Sequence, residues 1–295
     1  MTNWDGIEEV VAVEAAGSFA GAAAALGLSS SHVSRAVARL EAQLQVQIFY
    51  RTTRRVVLTD DGRTLVEGLK RVIEDRDEAF ARMSGAGDPR GEVRLTCSMA
   101  LGERFVVPIV RSFAASHPGI SVRIELTNRL VDLVGEGFDV AIRTGDLADS
   151  RLIATRLASR RLHVCAAPGY LARHSPPREI HDLKDHECLI GTNDVWTFSA
   201  KGKEITHRVK GRWRCNSGLS VMEAALDGMG ICQLPDFYVR RAIKEGRLML
   251  LLESFEAGNE PIWAVYPQHR QQLARVRLLV DRLKAHLQGA LDAAE

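Results

Sequence analysis

Signatures of catalysis are missing from this sequence of 295 residues: it has no Gly-x-Ser-x-Gly elbow, no His-Glu-x-x-His pair and no phosphate-binding loop. Gly135-Glu-Gly and Gly228-Met-Gly are too short for a dinucleotide fingerprint and read as helix ends. His181, His186 and Cys188 have loosely metal-like spacing, but no fourth ligand stands near them, so neither a metal nor a cofactor is expected. The cysteines, Cys97, Cys165, Cys188, Cys215 and Cys232, are odd in number and form no Cys-x-x-Cys, which excludes a disulfide framework and implies a reducing cytoplasm. No apolar run approaches the ~20 residues of a membrane span, and Met1 to Gly6 lacks the basic start of a signal peptide. A net charge of +2 is too small to imply nucleic acid by itself.

What is present begins at Ser18. Its hydroxyl suits an N-cap, and Phe19, Ala22, Ala23 and Leu26 follow at helical spacing. Gly27 stands where the helix must stop, Leu28 is expected under the turn, and Ser29 caps a second helix. There Val33, Ala36, Val37, Leu40 and Leu44 form the stripe expected to be buried. Two short helices, a glycine turn and small alanines describe a helix-turn-helix. Any helical hairpin could show these features. The exposed start of the second helix favours DNA, because Ser30, Ser31, His32, Ser34 and Arg35 are polar donors with no acid before Glu41.

Trp4 to Ala16 reads as a first helix completing a small bundle. After Leu44, Val46, Ile48 and Phe49 look like core, Arg51, Arg54 and Arg55 form a basic tip, and Val56 to Leu58 are β-prone. That describes a wing whose arginines reach phosphates, the alternative being a solvated loop. Thr59 caps a long helix with Asp60 and Asp61 in its first turn. Its apolar seam, Leu65, Val66, Leu69, Val72, Ile73, Phe80 and Met83, either meets a partner helix or packs back on its own domain.

Ser84 to Gly91 marks a domain boundary, and beyond it strands and helices alternate as in an α/β sheet. Leu101 to Ser116 and Leu130 to Glu136 read as helices, and Phe138 to Arg143 as a buried strand. The series continues through Ile262 to Tyr266, a strand, and closes on an amphipathic helix, Gln271 to Gln288.

Gly17 to Ala23, Leu26 to Ser29, Val33 to Glu41, Phe49 to Arg55 and Leu58 to Gly62 resemble the LysR-type transcriptional regulators, as do Leu130 to Arg143 and Ala225 to Asp236 in the second half. The resemblance runs essentially end to end. It implies an α+β two-domain protein: a winged helix-turn-helix (1–58), a linker helix and hinge (59–88), and a two-lobed α/β effector domain like periplasmic binding proteins (89–295). Lobe I is expected at about 89–160 and 267–295, lobe II at about 161–266, with crossovers near Arg160 and Tyr266. Also implied are double-stranded promoter DNA and a small-molecule effector as partners, a homodimer through the linker, a homotetramer, and no enzymatic activity. The sequence departs from the family at the reading head, where Ser30, Ser31 and His32 replace the usual Gln-Pro or Gln-Ser with Ala, and at Gln45, which replaces a glycine.

On this frame Ser31, His32 and Arg35 are the candidates for base edges, with Arg35 best suited to guanine, and Ser30, Ser34, Arg51, Arg54 and Arg55 would position the backbone. The effector candidates are Ser98, Met99, Thr127, Asn128, Asn193, Asn216 and Ser217, whose donors beside helix starts suit a carboxylate or similar anion. The bland alternative is that these residues only cap helices. A redox switch built on the cysteines is a rival reading of function. A purely architectural DNA protein leaves the second domain unexplained.

Overall fold

Caps and small side chains set the first helices. The chain is seen in a computed structural model that describes residues 4–51, 56–84, 89–145, 152–268, 270 and 273–293, without the side chains of 51, 78–79 and 81–84. It divides into two units, Met1–Asp88 and Pro89–Glu295.

In the first unit, α1 (Ile7–Ala16), α2 (Phe19–Leu26) and α3 (Ser30–Leu44) pack on one core that includes Val10, Val13, Ala22, Ala23, Val33, Val37 and Leu40. Ser18 Oγ accepts from the Gly21 amide at 3.1 Å, and Ser29 Oγ from the His32 amide at 3.2 Å. Gly27 ends α2 at φ 67°, a left-handed conformation that glycine takes without a Cβ clash. Two residues expected inside are exposed. Leu28 closes the turn through its amide on the Ala23 carbonyl (2.9 Å) while its side chain stays out, and Leu44 lies one turn past Leu40, where the α3 core ends.

Gln45 terminates α3 at φ 55°, doing with a side chain what glycine does more cheaply. Glu41 then accepts from the amides of Ile48 (2.8 Å) and Phe49 (3.2 Å), turning the chain into β1 (Phe49–Arg51), which pairs antiparallel with β2 (Val56–Leu58). Thr59 Oγ1 accepts from the Gly62 amide at 2.9 Å and opens α4 (Asp60–Ser84). A Cβ on Gly62 would lie 2.2 Å from the Ile48 carbonyl oxygen, so only glycine lets α4 cross the wing this closely. The apolar seam of α4 divides: Val66 is buried with Leu65 and Leu69 against the unit's own core, whereas Val72 is 45% and Phe80 67% exposed. The Met83 side chain lies outside the described residues.

The second unit runs β3 (Gly91–Cys97), α5 (Met99–Leu101), a π-helical turn (Gly102–Val106), α6 (Val107–Ser116), β4 (Ile120–Leu126), β5 (Val140–Thr144) and β6 (Leu152–Arg160). There follow β7 (Leu162–Ala166), α7 (Pro168–Leu171), β8 (Cys188–Leu189), β9 (Val195–Ala200), β10 (Lys203–Arg208), α8 (Gly218–Leu226), β11 (Ile231–Pro235), α9 (Asp236–Lys244), β12 (Met249–Leu251), β13 (Glu260–Pro267) and α10 (Ala274–Asp292). One sheet has the order β4-β3-β5-β13-β6 and a second β12-β7-β11-β8, each with its own buried core, and β9 and β10 form a separate ribbon. These are two α/β lobes.

Two expectations are corrected. The return crossover is not at Tyr266, because all of β13 from Glu260 to Pro267 pairs with β6 in the first sheet; the second lobe ends before Glu260. Leu130 to Glu136 is not a helix. Asp132 Oδ1 accepts from the amides of Val134 and Gly135, both at 3.1 Å, and this side-chain competition folds the segment into turns.

Candidate nucleic-acid interface and ligand cavity

Burying Val33, Ala36, Val37 and Leu40 leaves the opposite face of α3 outward. Ser30, Ser31, His32 and Arg35 are exposed there and Ser34 is half-buried. Ser31 Oγ lies 3.1 Å from Ser29 Oγ, and its carbonyl accepts from Arg35 Nε at 3.1 Å, which holds the Arg35 stem along the helix. His32 is less free than its position implied: Nε2 lies 3.5 Å from the Glu9 carboxylate of α1, although 45% of the side chain stays exposed. Arg39, on the same side, is bound by Asp5 through Nε (3.0 Å) and Nη2 (2.9 Å). Arg54, Arg55 and the Arg51 side chain lie outside the described residues.

In the second unit a cavity of about 560 Å³ opens between the two lobes. Ser98, Thr127, Asn128, Asn193 and Asn216 line it; Met99 and Ser217 do not. The Met99 amide donates to Asn128 Oδ1 at 3.1 Å, and Ser217 Oγ is occupied in capping α8 through the Ser220 amide (3.4 Å). Ser217 therefore follows the bland reading. Asn128 also donates from Nδ2 to the Asn216 carbonyl at 2.6 Å, so this one side chain straps the end of β4 to the start of α8.

The cationic groups of the cavity were missed from sequence. Arg129 is held by Glu125 and Glu136, and Arg160 by Glu260 at 2.5 Å. Arg143, at the end of β5, donates to the Ile142 carbonyl (3.1 Å) and Thr96 Oγ1 (3.4 Å) and has no carboxylate partner among the described residues. Burial pushes its pKa down from the ordinary arginine value, the sign of a cation short of compensation. The signal was its place: an arginine directly after the buried Val140, Ala141 and Ile142. Gln233, Tyr238 and Trp196 also line the cavity; Gln233 is committed to the backbone of Thr197 on both sides (3.2 and 2.8 Å).

Four of the five cysteines sit in apolar interiors, and Cys215 is half-buried. Burial pushes the Cys97 and Cys188 thiols up to about 12, and Cys165 and Cys232, 3.5 Å apart across β7 and β11, are fully buried. A thiol so placed is a small hydrophobe rather than a nucleophile. Among the described residues no group of His, Cys, Asp and Glu could hold a metal ion, and no single helix is long and apolar enough to cross a membrane.

Comparison with known proteins agrees with both halves. Residues 4–63 match the bacterial regulatory helix-turn-helix protein, lysR family, and residues 86–288 match the LysR substrate binding domain. The chain belongs to the LysR family. It is 36% identical to the HTH-type transcriptional regulator PtxR of Pseudomonas aeruginosa, over 94% of this chain and 90% of PtxR. It is 34% identical to the regulator DmlR of Escherichia coli, over 91% of this chain and 89% of DmlR. The solved structure of CrgA, a LysR-type transcriptional regulator from Neisseria meningitidis, aligns with a TM-score of 0.57 at 31% identity, covering 97% of this chain and 99% of CrgA. This LysR-family protein is thus a transcriptional regulator with an effector-binding domain, not an enzyme.

Thiol burial yields a measurable outcome for this regulator. With a maleimide at neutral pH, only the half-buried Cys215 should label in the native protein, the other four reacting after denaturation. Prompt labelling of Cys165 or Cys232, read by mass spectrometry, would reopen the redox reading.

Proposed function

We propose that this regulator binds promoter DNA as a dimer or homotetramer in the cytoplasm and answers to a small anionic effector held between its lobes. The observation that carries the effector class is Arg143. Of the guanidinium groups lining the cavity, Arg129 and Arg160 are neutralised by carboxylates, whereas Arg143 has no carboxylate partner among the described residues. An anion entering there supplies the missing charge, with the hydroxyls of Ser98, Thr127 and Thr144 beside it as donors. Asn193 and Asn216 line the same cavity; Met99 and Asn128 contribute through the strap and not as free donors.

On the DNA side, Ser31, His32 and Arg35 face base edges from α3, and Ser30, Ser34, Arg51, Arg54 and Arg55 hold phosphates. Arg35 is the strongest base reader, since among the described residues only its Nε is engaged. Dimerisation runs through the outer half of α4, where Val72 and Phe80 expose apolar surface beyond the point at which the seam leaves its own core.

Three outcomes follow from these assignments. Screening organic acids by thermal shift should find stabilising carboxylates, each losing affinity by about tenfold to a hundredfold in Arg143→Gln, the scale of a charge-assisted bond of about 1.5–3 kcal/mol; neutral ligands preferred over acids would sink the anionic class. On an operator selected by the protein from random duplexes, Arg35→Ala should lose about 1–3 kcal/mol while scrambled DNA binds as before. An equal loss on both would make Arg35 a phosphate contact. Val72→Glu should shift the sedimenting species toward monomer, and an unchanged species would place the dimer contact elsewhere.

A further inference from the structure

Neither site accounts for β10 and the loop that follows it. From Lys201 to Arg214 the chain carries six Lys or Arg and one acid, Glu204, whereas the whole protein nets only +2. The segment therefore holds more positive charge than the entire molecule shows. Its shape is defined. β9 and β10 form a two-stranded antiparallel ribbon, turned by Lys201 at φ 54° and Gly202 at φ 75°. Trp196 and Phe198 pin one face of it to the core, and Lys203 to Thr206 are exposed.

Most of these cations lack a counter-charge among the described residues. Arg208 (2.7 Å) and Arg214 (3.3 Å) share a single carboxylate, Asp194. Desolvation alone would raise that carboxyl, yet the two guanidinium groups hold it below the usual carboxylate range. Lys201, Lys203, Lys210 and Arg212 have no carboxylate partner among the described residues. A lysine-guarded sheet edge would explain Lys203, because lysines discourage edge-to-edge pairing. It does not explain Lys210 and Arg212, which lie beyond the strand.

We propose that the β10 ribbon and the loop to Arg214 are a second, sequence-independent DNA-binding surface that grips the phosphate backbone of duplex flanking the operator. Unpaired cations on a pinned scaffold are what a phosphate backbone takes up, releasing counterions, and a two-stranded ribbon is narrow enough to follow a groove. The inference rests on the DNA-binding reading of α3 and extends it to the regulatory domain.

The test uses the full chain and two mixed-sequence duplexes of about 20 and about 80 base pairs, the long one containing the short. In the variant carrying Lys201→Gln, Lys203→Gln, Lys210→Gln and Arg212→Gln, affinity for the long duplex should fall by at least about tenfold at 0.1 M salt. The slope of log K against log salt should flatten by up to about 3.6 per protomer, about 0.9 for each lost phosphate contact. Affinity for the short duplex should stay at the wild-type value, which also shows the variant is folded. An unchanged slope on the long duplex overturns the proposal, as does an equal loss on both lengths. If the wild-type protein binds neither duplex, the reading of α3 falls, and this one with it.

Discussion

The ion pair between Arg160 and Glu260 holds the second unit together at its most consequential point. The chain leaves the five-stranded sheet at Arg160 and returns to it at Glu260, and these two residues are register partners at the ends of β6 and β13. Their 2.5 Å contact lies beside an additional bond from Arg160 to Thr144 on β5 (3.1 Å), so exit and return are fastened to the same sheet. Two connections anchored side by side make a hinge, and the lobes on either side can form a cleft. The same pair shapes the charge of that cleft, since Glu260 neutralises Arg160 while Arg143 has no carboxylate partner among the described residues.

Compensation of charge is a theme of both units. Arg39 with Asp5, Arg76 with Glu8 and Asp77, and Arg241 with Glu245 are exposed pairs, screened by solvent and of little weight for stability. Their value here is by exclusion. Among the described residues, Arg35 on α3, Arg143 in the cleft and Arg212 after β10 lack such a carboxylate partner, and each stands on a surface to which a binding role is assigned above.

Much of this was legible in one dimension. Caps at Ser18, Ser29, Thr59 and Ser217 and the break at Gly27 act within four residues, so local chemistry decided them and the sequence displayed them. The α/β alternation was visible for the same reason. What failed depends on distant partners. β6 is a nine-residue strand in which Thr155, Arg156, Ser159 and Arg160 disguise the alternation, and β13 belongs to a sheet built mostly over a hundred residues earlier. Leu130 to Glu136 has helical periodicity, but the Asp132 side chain outbids the helix for the backbone amides. In the cavity, the hydroxyl and amide residues were found because strand ends advertise them. Arg143 was missed because a lone arginine after an apolar run gives no hint of whether a carboxylate will fold against it.

Asn128 adds a thermodynamic setting to this frame. One uncharged side chain, bonded on one side to the Met99 amide and on the other to the Asn216 carbonyl, bridges the two lobes where they line the cleft. A neutral bond of this type is worth about 0.5–1.5 kcal/mol, which favours the strapped arrangement over an open one by only about two- to twelvefold. A molecule with modest preference for either arrangement would therefore be enough to tip the balance.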